Sequence, residues 1–437
     1  MTNLNLTELV ATKQPPETDA DRFARYAEAT AHLDAPFAVL DRHALAANAH
    51  DLLRRANGMP IRVASKSVRS VEVLQAVLAL PGFAGVLGFT VPEAIHLVRS
   101  GVSDDVVVGY PSTQRAAITE VARDPQLRSS ITFMIDHPDQ ARILERAVRD
   151  AGENPAVTRL RVCLDLDMSY RVAGVHIGAR RSPIHDPRQA RAAAETLAKT
   201  AGVTLVGVMG YEAQIAGVTD DSPAIALMKR ASTAELAARR DEAVALVREV
   251  ADLEFVNGGG TGSFETTRVN RSVTELAAGS GLFGPHLFDR YRSFSPNPAV
   301  FFALDVVRRP APGIATVHGG GWIASGATGK DRSPLPVWPQ GLRLTAAEGA
   351  GEVQTPLRAQ HRVPRIGERV WFRHTKAGEV CEHVNELHVI DGATCSGAVS
   401  TTEKKGMRSY EPSAEYRARP RPFRRAHCQR RRCTHLA

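Results

Sequence analysis

The sequence lacks a long apolar run. Its apolar stretches, such as the one around Val106 to Gly109, are far shorter than the roughly 20 residues that a transmembrane helix needs, so we expect no membrane span. Residues 1–26 also lack a charged start followed by an apolar stretch, so they do not resemble a secretory signal. A cytoplasmic location is therefore the expectation.

Cysteine is scarce, with five residues in a chain of 437. Three of them, Cys395, Cys428 and Cys433, lie after residue 390, and Cys163 and Cys381 have no paired spacing. This pattern argues against a disulfide framework and against a zinc ribbon.

Most of the chain also lacks an excess of charge of either sign. The formal net charge is +8, but residues 391–437 hold eleven of the 55 Lys and Arg residues and only four of the 47 Asp and Glu residues. The remainder is close to neutral. We therefore expect neither nucleic acid nor a membrane as a partner, apart from non-specific attraction of anions by the basic tail.

What the sequence does contain is a regular alternation of short β-rich runs with helical patterns. Eight such runs start near residues 37, 61, 84, 105, 131, 160, 204 and 253. Apolar strands that alternate with amphipathic helices indicate a parallel sheet, and eight units favour an α/β fold closed into a (β/α)8 TIM-type barrel. A doubly wound open sheet is the alternative.

The pattern divides the chain into four parts. Residues 1–34 are an N-terminal extension, and residues 35–295 are the predicted barrel. Residues 296–390, rich in Gly, Pro and scattered β-branched residues, predict a smaller C-terminal β domain whose last element ends near Ile390. Residues 391–437 have no period and dense arginine, which predicts a disordered tail. This tail is either a genuine basic arm or the product of an altered reading frame.

A glycine-rich turn follows the eighth run. The segment "VNGGGTGSFE" places Gly258, Gly259, Gly260 and Gly262 around Thr261. In a barrel, such a loop presents backbone N–H groups that an anion can approach closely, so it is a candidate phosphate site. A tight solvent-facing turn without a ligand is the alternative.

Other polar residues are predicted at the same edge of the barrel. Lys66 ends the second run, where a lysine amine can form a Schiff base, or can simply be solvated and paired with a carboxylate. Arg171 follows the sixth run and is a candidate for a ring nitrogen or a carboxylate, or for a structural pair with Asp165 or Asp167. Tyr211, Glu212 and Gln214 follow the seventh run, as site residues or as core and rim residues. A phosphorylated aldehyde cofactor would use such a set together.

Four segments carry a resemblance to a known family. "VNGGGTGSFE", "GYEAQ", "DLDMSYRVAG" and "TELAAGSGLF" resemble conserved stretches of the fold-type III pyridoxal-phosphate enzymes, the alanine-racemase-like barrels, over residues 35–390. The D-threonine aldolase and D-serine dehydratase branch is the most similar. The resemblance implies pyridoxal 5'-phosphate as cofactor and a homodimer in which the partner's β domain closes each site.

The resemblance also implies roles for individual residues. It implies Lys66 as the lysine that bonds the cofactor and Arg171 near the pyridine ring, with Gln214 at the cofactor. The phosphate ligands would be Gly259, Gly260 and Thr261, flanked by Gly258 and Gly262. His374 is the candidate catalytic residue of the β domain, or else a structural histidine.

One departure from the family pattern concerns a metal. The branch carries a His-x-Cys pair for a divalent metal, whereas here His374 is followed by Lys376 at the cysteine position, and Cys381 lies further on. His374 is therefore a tentative metal ligand only. The segment around the lysine, "VASKS", also differs, so substrate preference need not transfer.

The implied activity is a lyase reaction on a β-hydroxy amino acid, with the D-form expected. Cleavage of the Cα–Cβ bond would make the protein an aldolase, and loss of the hydroxyl would make it a deaminase. The alternatives are an amino-acid racemase, which needs a second base facing Lys66, and a non-catalytic pyridoxal-phosphate-binding protein.

Overall fold

Eight parallel strands close into a barrel at the centre of the protein. The computed structural model describes residues 4–9, 17–220 and 222–402. Neighbours around the barrel follow the order β10, β11, β2, β3, β4, β5, β6, β9, and β11 pairs with β2, so that no edge is left. The strands are β2 (Ile61–Ala64), β3 (Phe83–Gly88), β4 (Val106–Val108), β5 (Ile131–Ile135), β6 (Leu160–Asp165), β9 (Val203–Gly210), β10 (Phe255–Gly258) and β11 (Glu275–Ala278).

Helices connect the barrel strands and begin at well-defined caps. The first turn carries proline in α4, α6, α7, α8 and α10, where a missing N–H costs no helical hydrogen bond. The helices are α1 (Asp19–Ala29), α2 (Arg42–Ala56), α3 (Val71–Leu78), α4 (Val91–Arg99), α5 (Arg115–Arg123), α6 (Pro125–Ser130), α7 (Pro138–Asp150), α8 (Pro187–Lys199), α9 (Ala213–Ala216), α10 (Pro223–Arg248), α11 (Phe264–Thr267) and α12 (Ser280–Phe283).

The second unit is a nine-stranded sheet built mainly from the C-terminal part of the chain. Its main path is β15, β16, β13, β12, β1, β18, β19, and β17 joins β14 to β12. The strands are β1 (Phe37–Asp41), β12 (Val300–Ala311), β13 (Ile314–His318), β14 (Leu335–Trp338), β15 (Leu342–Leu344), β16 (Gln354–Ala359), β17 (Arg369–Arg373), β18 (Glu386–Asp391) and β19 (Thr394–Ser400). A small hairpin, β7 (Tyr170–Val172) with β8 (Val175–Ile177), follows β6.

The predicted architecture, a (β/α)8 barrel followed by a smaller β domain, is confirmed. One strand was placed in the wrong sheet, because β1 pairs antiparallel with β12 and parallel with β18. Its five residues are all buried, as in a barrel strand, so the pattern could not show the partner. The eighth barrel strand is instead β11, whose Ala-rich sequence lacks the usual β-branched residues.

The predicted end of the β domain near Ile390 is also wrong. Strand β19 continues the fold beyond it, and Glu386 pairs with Ser400 across the β18–β19 hairpin. The segment is rich in small residues, so the backbone ladder rather than side-chain hydrophobicity places it in the sheet. The predicted disorder is therefore wrong for residues 391–402, and residues 403–437 lie outside the described part of the chain.

Apolar side chains fill the barrel interior. Met134, Cys163, Met209 and Phe255 belong to one buried cluster there. Gly207 leaves room for the Phe255 ring, because a Cβ at that glycine would meet ring atoms at 2.3 Å. The barrel is therefore a packed core, and ligands must bind at its ends. No helix in the described ranges is both long and apolar enough to cross a membrane.

Candidate active site

A cavity of about 780 Å³ lies where the barrel mouth meets the β-sheet unit. This volume is typical of a small-molecule site. Most of its barrel residues come directly after strands β2, β3, β4, β9, β10 and β11, that is, at the carboxyl ends of the parallel strands. Barrel enzymes carry their chemistry at that end, so this cavity is the candidate active site.

Two groups of residues line the cavity, one from the barrel and one from the C-terminal part of the chain. We call the first the barrel wall: Lys66, Gly259, Gly260, Thr261 and Ser280. We call the second the β-domain wall: Ser325, Arg332, Lys376, Glu379 and Glu382. The β-domain wall belongs to the same chain, and closure of the site by a partner's β domain stays a prediction.

Lys66 projects from a short 3-10 turn, Ser65–Ser67, that follows β2. Its Nζ donates a hydrogen bond to the Tyr110 hydroxyl at 2.8 Å. Glu93 links this turn to the segment after β3, because its buried carboxylate accepts hydrogen bonds from Ser65 Oγ at 2.8 Å and from Phe89 N at 2.6 Å. The predicted lysine therefore lies in the cavity, with its amine held at a defined position.

The glycine loop is fixed by a buried ion pair. Glu212 and Arg240 contact each other, and the Glu212 carboxylate accepts a hydrogen bond from Gly259 N at 2.9 Å. Gly259 has a φ of +79°, a conformation that favours glycine. At Gly262, a Cβ would lie 2.5 Å from Ala216 O, so only glycine fits without movement.

The amides of the glycine loop do not all face the cavity. Gly259 N and Gly260 N donate within the protein, to Glu212 and to Ser263 Oγ at 3.1 Å. The hydroxyls of Thr261 and Ser280 lie 3.1 Å apart on the cavity wall. The best polar anchor that this loop offers an anion is thus the hydroxyl pair, and Ser280 is a residue that sequence reasoning did not single out.

Several predicted site residues are not part of the cavity lining. Arg171 Nη2 donates to Asp167 at 2.5 Å, which is the structural pair considered as its alternative. Gln214 is buried, and its Nε2 donates to Met168 O at 2.7 Å and to Ser232 Oγ at 2.9 Å. Gly258 and Gly262 belong to the glycine loop but do not line the cavity. Roles for these residues at a cofactor stay predictions.

Arg181, unlike Arg171, lines the cavity. Its guanidinium lies 5.3 Å from the centre of the Tyr211 ring and 5.8 Å from that of Tyr110. Burial, with the charge of Asp136, raises the pKa of Asp165 to about 7, and Arg181 partly offsets this shift. Arg181 follows the β7–β8 hairpin at no recognisable motif, so only the folded structure could identify it.

His374 lies behind the β-domain wall. It is 4% exposed, its ring is edge-on to Phe283 with centroids 6.5 Å apart, and it does not line the cavity. Burial, with the nearby Arg373 and His286, lowers the pKa of His374 to about 3. The imidazole is therefore neutral at ordinary pH. Its catalytic and metal-binding roles stay predictions.

The cavity carries an excess of positive charge. Among the described residues, its lining includes two carboxylates, Glu379 and Glu382, and five cations: Lys66, Arg69, Arg181, Arg332 and Lys376. Arg69 Nη1 pairs with Glu382 at 2.7 Å. Burial lowers the pKa of Lys376, Glu379 partly offsets this shift, and the nearby charges of Arg332 and Lys66 lower the pKa further. A site of this kind favours an anionic ligand.

A closed barrel with a lysine and a glycine loop at its carboxyl edge is the arrangement that the resemblance to the alanine-racemase-like barrels implied. Residues 40–286, more than half of the chain, match the family described as alanine racemase, N-terminal domain. The chain belongs to this family, and the resemblance noted from the sequence is confirmed.

Individual proteins are similar to this chain in sequence or in structure. The chain is 26% identical over 306 residues to a 3-hydroxy-D-aspartate aldolase of Paracoccus denitrificans. The aligned region covers 66% of this chain and 72% of the aldolase. Its structure is similar to that of a D-threonine aldolase from Filomicrobium marinum, with a TM-score of 0.71, 21% identity and coverage of 85% and 95%. It is also similar to the structure of a metal-free variant of a D-threo-3-hydroxyaspartate dehydratase, with a TM-score of 0.67 and 20% identity. That match covers 84% of this chain and 97% of the dehydratase chain.

Proposed function

We propose that this chain is a pyridoxal-phosphate-dependent lyase, an aldolase or a deaminase, that acts on a β-hydroxy amino acid of the D-form. One observation carries the proposal: the Lys66 amine and the glycine loop, far apart in sequence, line the same cavity. The aldolase and dehydratase relatives support the lyase activity and the substrate class.

The residues present fit the cofactor. Lys66 Nζ would supply the amine for its aldehyde, and the Thr261 and Ser280 hydroxyls would supply donors for its phosphate. The phosphate carries a charge of about −1.5 to −2, which the five cations of the cavity lining favour. A Cβ at Gly260 would lie 3.0 Å from Ala216 and 3.1 Å from Tyr211, so glycine keeps this wall open.

The chain's own residues then handle binding and proton transfer. When bound, pyridoxal phosphate supplies an electron sink for the substrate carbons next to the amino group. The Lys66 amine takes or returns a proton at the substrate's α-carbon, and Tyr110, 2.8 Å from Nζ, orients it. Arg181, close to both tyrosine rings, holds positive charge beside the same space.

The direct test is the substitution Lys66→Ala. We expect the wild type to show the visible absorbance of covalently bound pyridoxal phosphate, and we expect borohydride to fix the cofactor on the peptide that contains Lys66, as read by mass spectrometry. Lys66→Ala should lose both signals and all turnover, whereas Lys199→Ala, at an exposed lysine in the last turn of α8, should keep them. A wild type that stays colourless with added pyridoxal phosphate would refute the cofactor.

A racemase is the second candidate. It needs another acid–base group near Lys66, and the Tyr110 and Tyr211 side chains line the same cavity. A panel of D- and L-amino acids assayed for aldehyde, ammonia and inverted stereochemistry separates aldolase, deaminase and racemase. Cofactor binding without turnover of any member would indicate a carrier protein. The homodimer and the cytoplasmic location remain predictions, and light scattering on the purified protein tests the dimer.

A further inference from the structure

The β-domain wall brings a second lysine amine into the cavity. Lys376 follows β17, and its Nζ donates to Ser325 O at 2.5 Å and lies 3.3 Å from Ser325 Oγ. The Ser325 backbone is fixed in turn, because its N–H donates to Glu379 Oε2 at 2.9 Å. A lysine amine has three N–H donors in its charged form, so these contacts leave Lys376 with capacity for a ligand oxygen.

The loop that carries Lys376 packs directly on the Lys66 turn. Gly378 has a φ of +73°, and a Cβ there would lie 2.0 Å from Lys66 O. Cys381 Sγ lies 3.6 Å from Val68 O, and Glu382 pairs with Arg69 at 2.7 Å. These contacts fix the Lys376 loop against the Lys66 turn, and both lysines line the same cavity.

The donor set beside Lys376 does not fit a divalent metal. His374 is buried outside the cavity lining, and Cys381, also outside it, is buried against the Lys66 turn. Within the described ranges, no group of three His, Cys, Asp or Glu side chains is arranged to hold a metal ion. A charged lysine has no lone pair to offer, and Lys66 and Arg332 line the same space and repel a dication.

We propose that the Lys376 ammonium binds the hydroxyl oxygen on the substrate's β-carbon and supplies there the positive charge for which other members of the fold family use a metal ion. This proposal rests on the proposed lyase function. It makes Lys376 a substrate-binding residue, and it predicts an enzyme that works without a divalent cation.

Two measurements on the pyridoxal-phosphate-loaded protein test the proposal. Lys376→Met keeps an unbranched side chain, one atom shorter than that of lysine, but removes its charge, and loss of a hydrogen bond to a charged group corresponds to a roughly 10- to 100-fold loss of kcat/KM. Lys330→Met, at an exposed lysine outside the cavity lining, is the matched control and should leave kcat/KM unchanged. Lys376→Met should retain the cofactor absorbance, which separates loss of substrate binding from loss of the cofactor.

The second measurement is a calorimetric titration of the wild type with Mn²⁺ and with Zn²⁺, paired with assays after EDTA treatment. We expect no stoichiometric binding and unchanged turnover. Binding of one metal ion per chain that restores EDTA-lost activity would overturn the proposal, and so would unchanged kcat/KM in Lys376→Met. A wild type that fails to bind pyridoxal phosphate would instead refute the proposed function, whereas the metal titration can be read without the cofactor.

Discussion

The two walls of the cavity are built in different ways. Apart from Lys66, the barrel wall is formed by short side chains and backbone, and its glycine loop is held by the buried Glu212 carboxylate and by Arg55, whose Nη2 donates to Thr261 O at 2.7 Å. The β-domain wall is formed by long charged side chains whose contacts, such as that of Lys376 with Ser325, are exposed. Under the proposed function, this difference assigns the cofactor to the barrel wall and the choice of substrate to the β-domain wall.

The largest expected effect comes from the contact that joins the walls. Gly378→Ala places a Cβ 2.0 Å from Lys66 O, so the Lys376 loop and the Lys66 turn must move apart. Because displacements of about 1 Å at an active site can cost roughly 100-fold in rate, we expect a loss of kcat of that order, measured in steady-state assays.

Gly313→Ala is the matched control for this substitution. Gly313 has a similar φ of +76° but no atom within 4 Å of the added Cβ, so it bears the backbone strain of about 1 kcal/mol without the clash. Its thermal stability should fall slightly and its kcat should stay unchanged. Equal losses of kcat in the two variants would show that the walls are not coupled through Gly378.

The joint between the walls also shows what the sequence could and could not predict. Barrel strands such as β4 have a strong local signature of β-branched residues, and the glycine loop has a recognisable pattern, so both were predicted from local patterns. Strand β1 has the same apolar signature but pairs with β12, because pairing depends on residues 260 positions away. Arg181 enters the cavity through a loop whose path only the folded chain defines, and Ser280, the first residue of α12, lies in the segment "TELAAGSGLF", whose pattern does not single it out.

Lys376 could be predicted from the sequence only in part. The sequence marks it as a departure from the His-x-Cys pattern, but a pattern cannot tell whether the substituting side chain faces the site. The structure places it on the cavity wall and leaves His374 behind it. If Lys376 binds substrate as we propose, the substitution is a change of chemistry at the site and not only the loss of a ligand.

A smaller effect is expected on the free energy of unfolding in acid, and it should depend on His374 in the β-sheet unit. Burial lowers the pKa of His374 to about 3, so the neutral form is stabilised in the fold. Its contribution is fully present above the unfolded pKa of about 6.5 and is lost as the pH falls towards 3. Between pH 6.5 and pH 5 the free energy of unfolding should fall by roughly 2 kcal/mol, at about 1.4 kcal/mol per pH unit.

Urea unfolding at several pH values measures this slope. His374→Gln should flatten it whatever its effect on absolute stability, and His361→Gln, at an exposed histidine of the same sheet unit, should leave it unchanged. An unaltered slope in His374→Gln would mean that another group titrates.

The smallest expected effect is a change in cofactor affinity, and it is tested by one substitution on each wall. Ser280→Ala removes a hydroxyl that we assign to the cofactor's phosphate, and Ser325→Ala removes one that contacts Glu379 on the β-domain wall. A hydrogen bond to a charged group contributes about 1.5–3 kcal/mol, so Ser280→Ala should weaken pyridoxal-phosphate binding about tenfold or more, measured by fluorescence titration of the apoprotein. Ser325→Ala should leave cofactor affinity unchanged and raise KM, because it loosens the support of Lys376. Equal weakening of cofactor binding by both variants would mean that the walls share the phosphate, and the division of labour between them would be wrong.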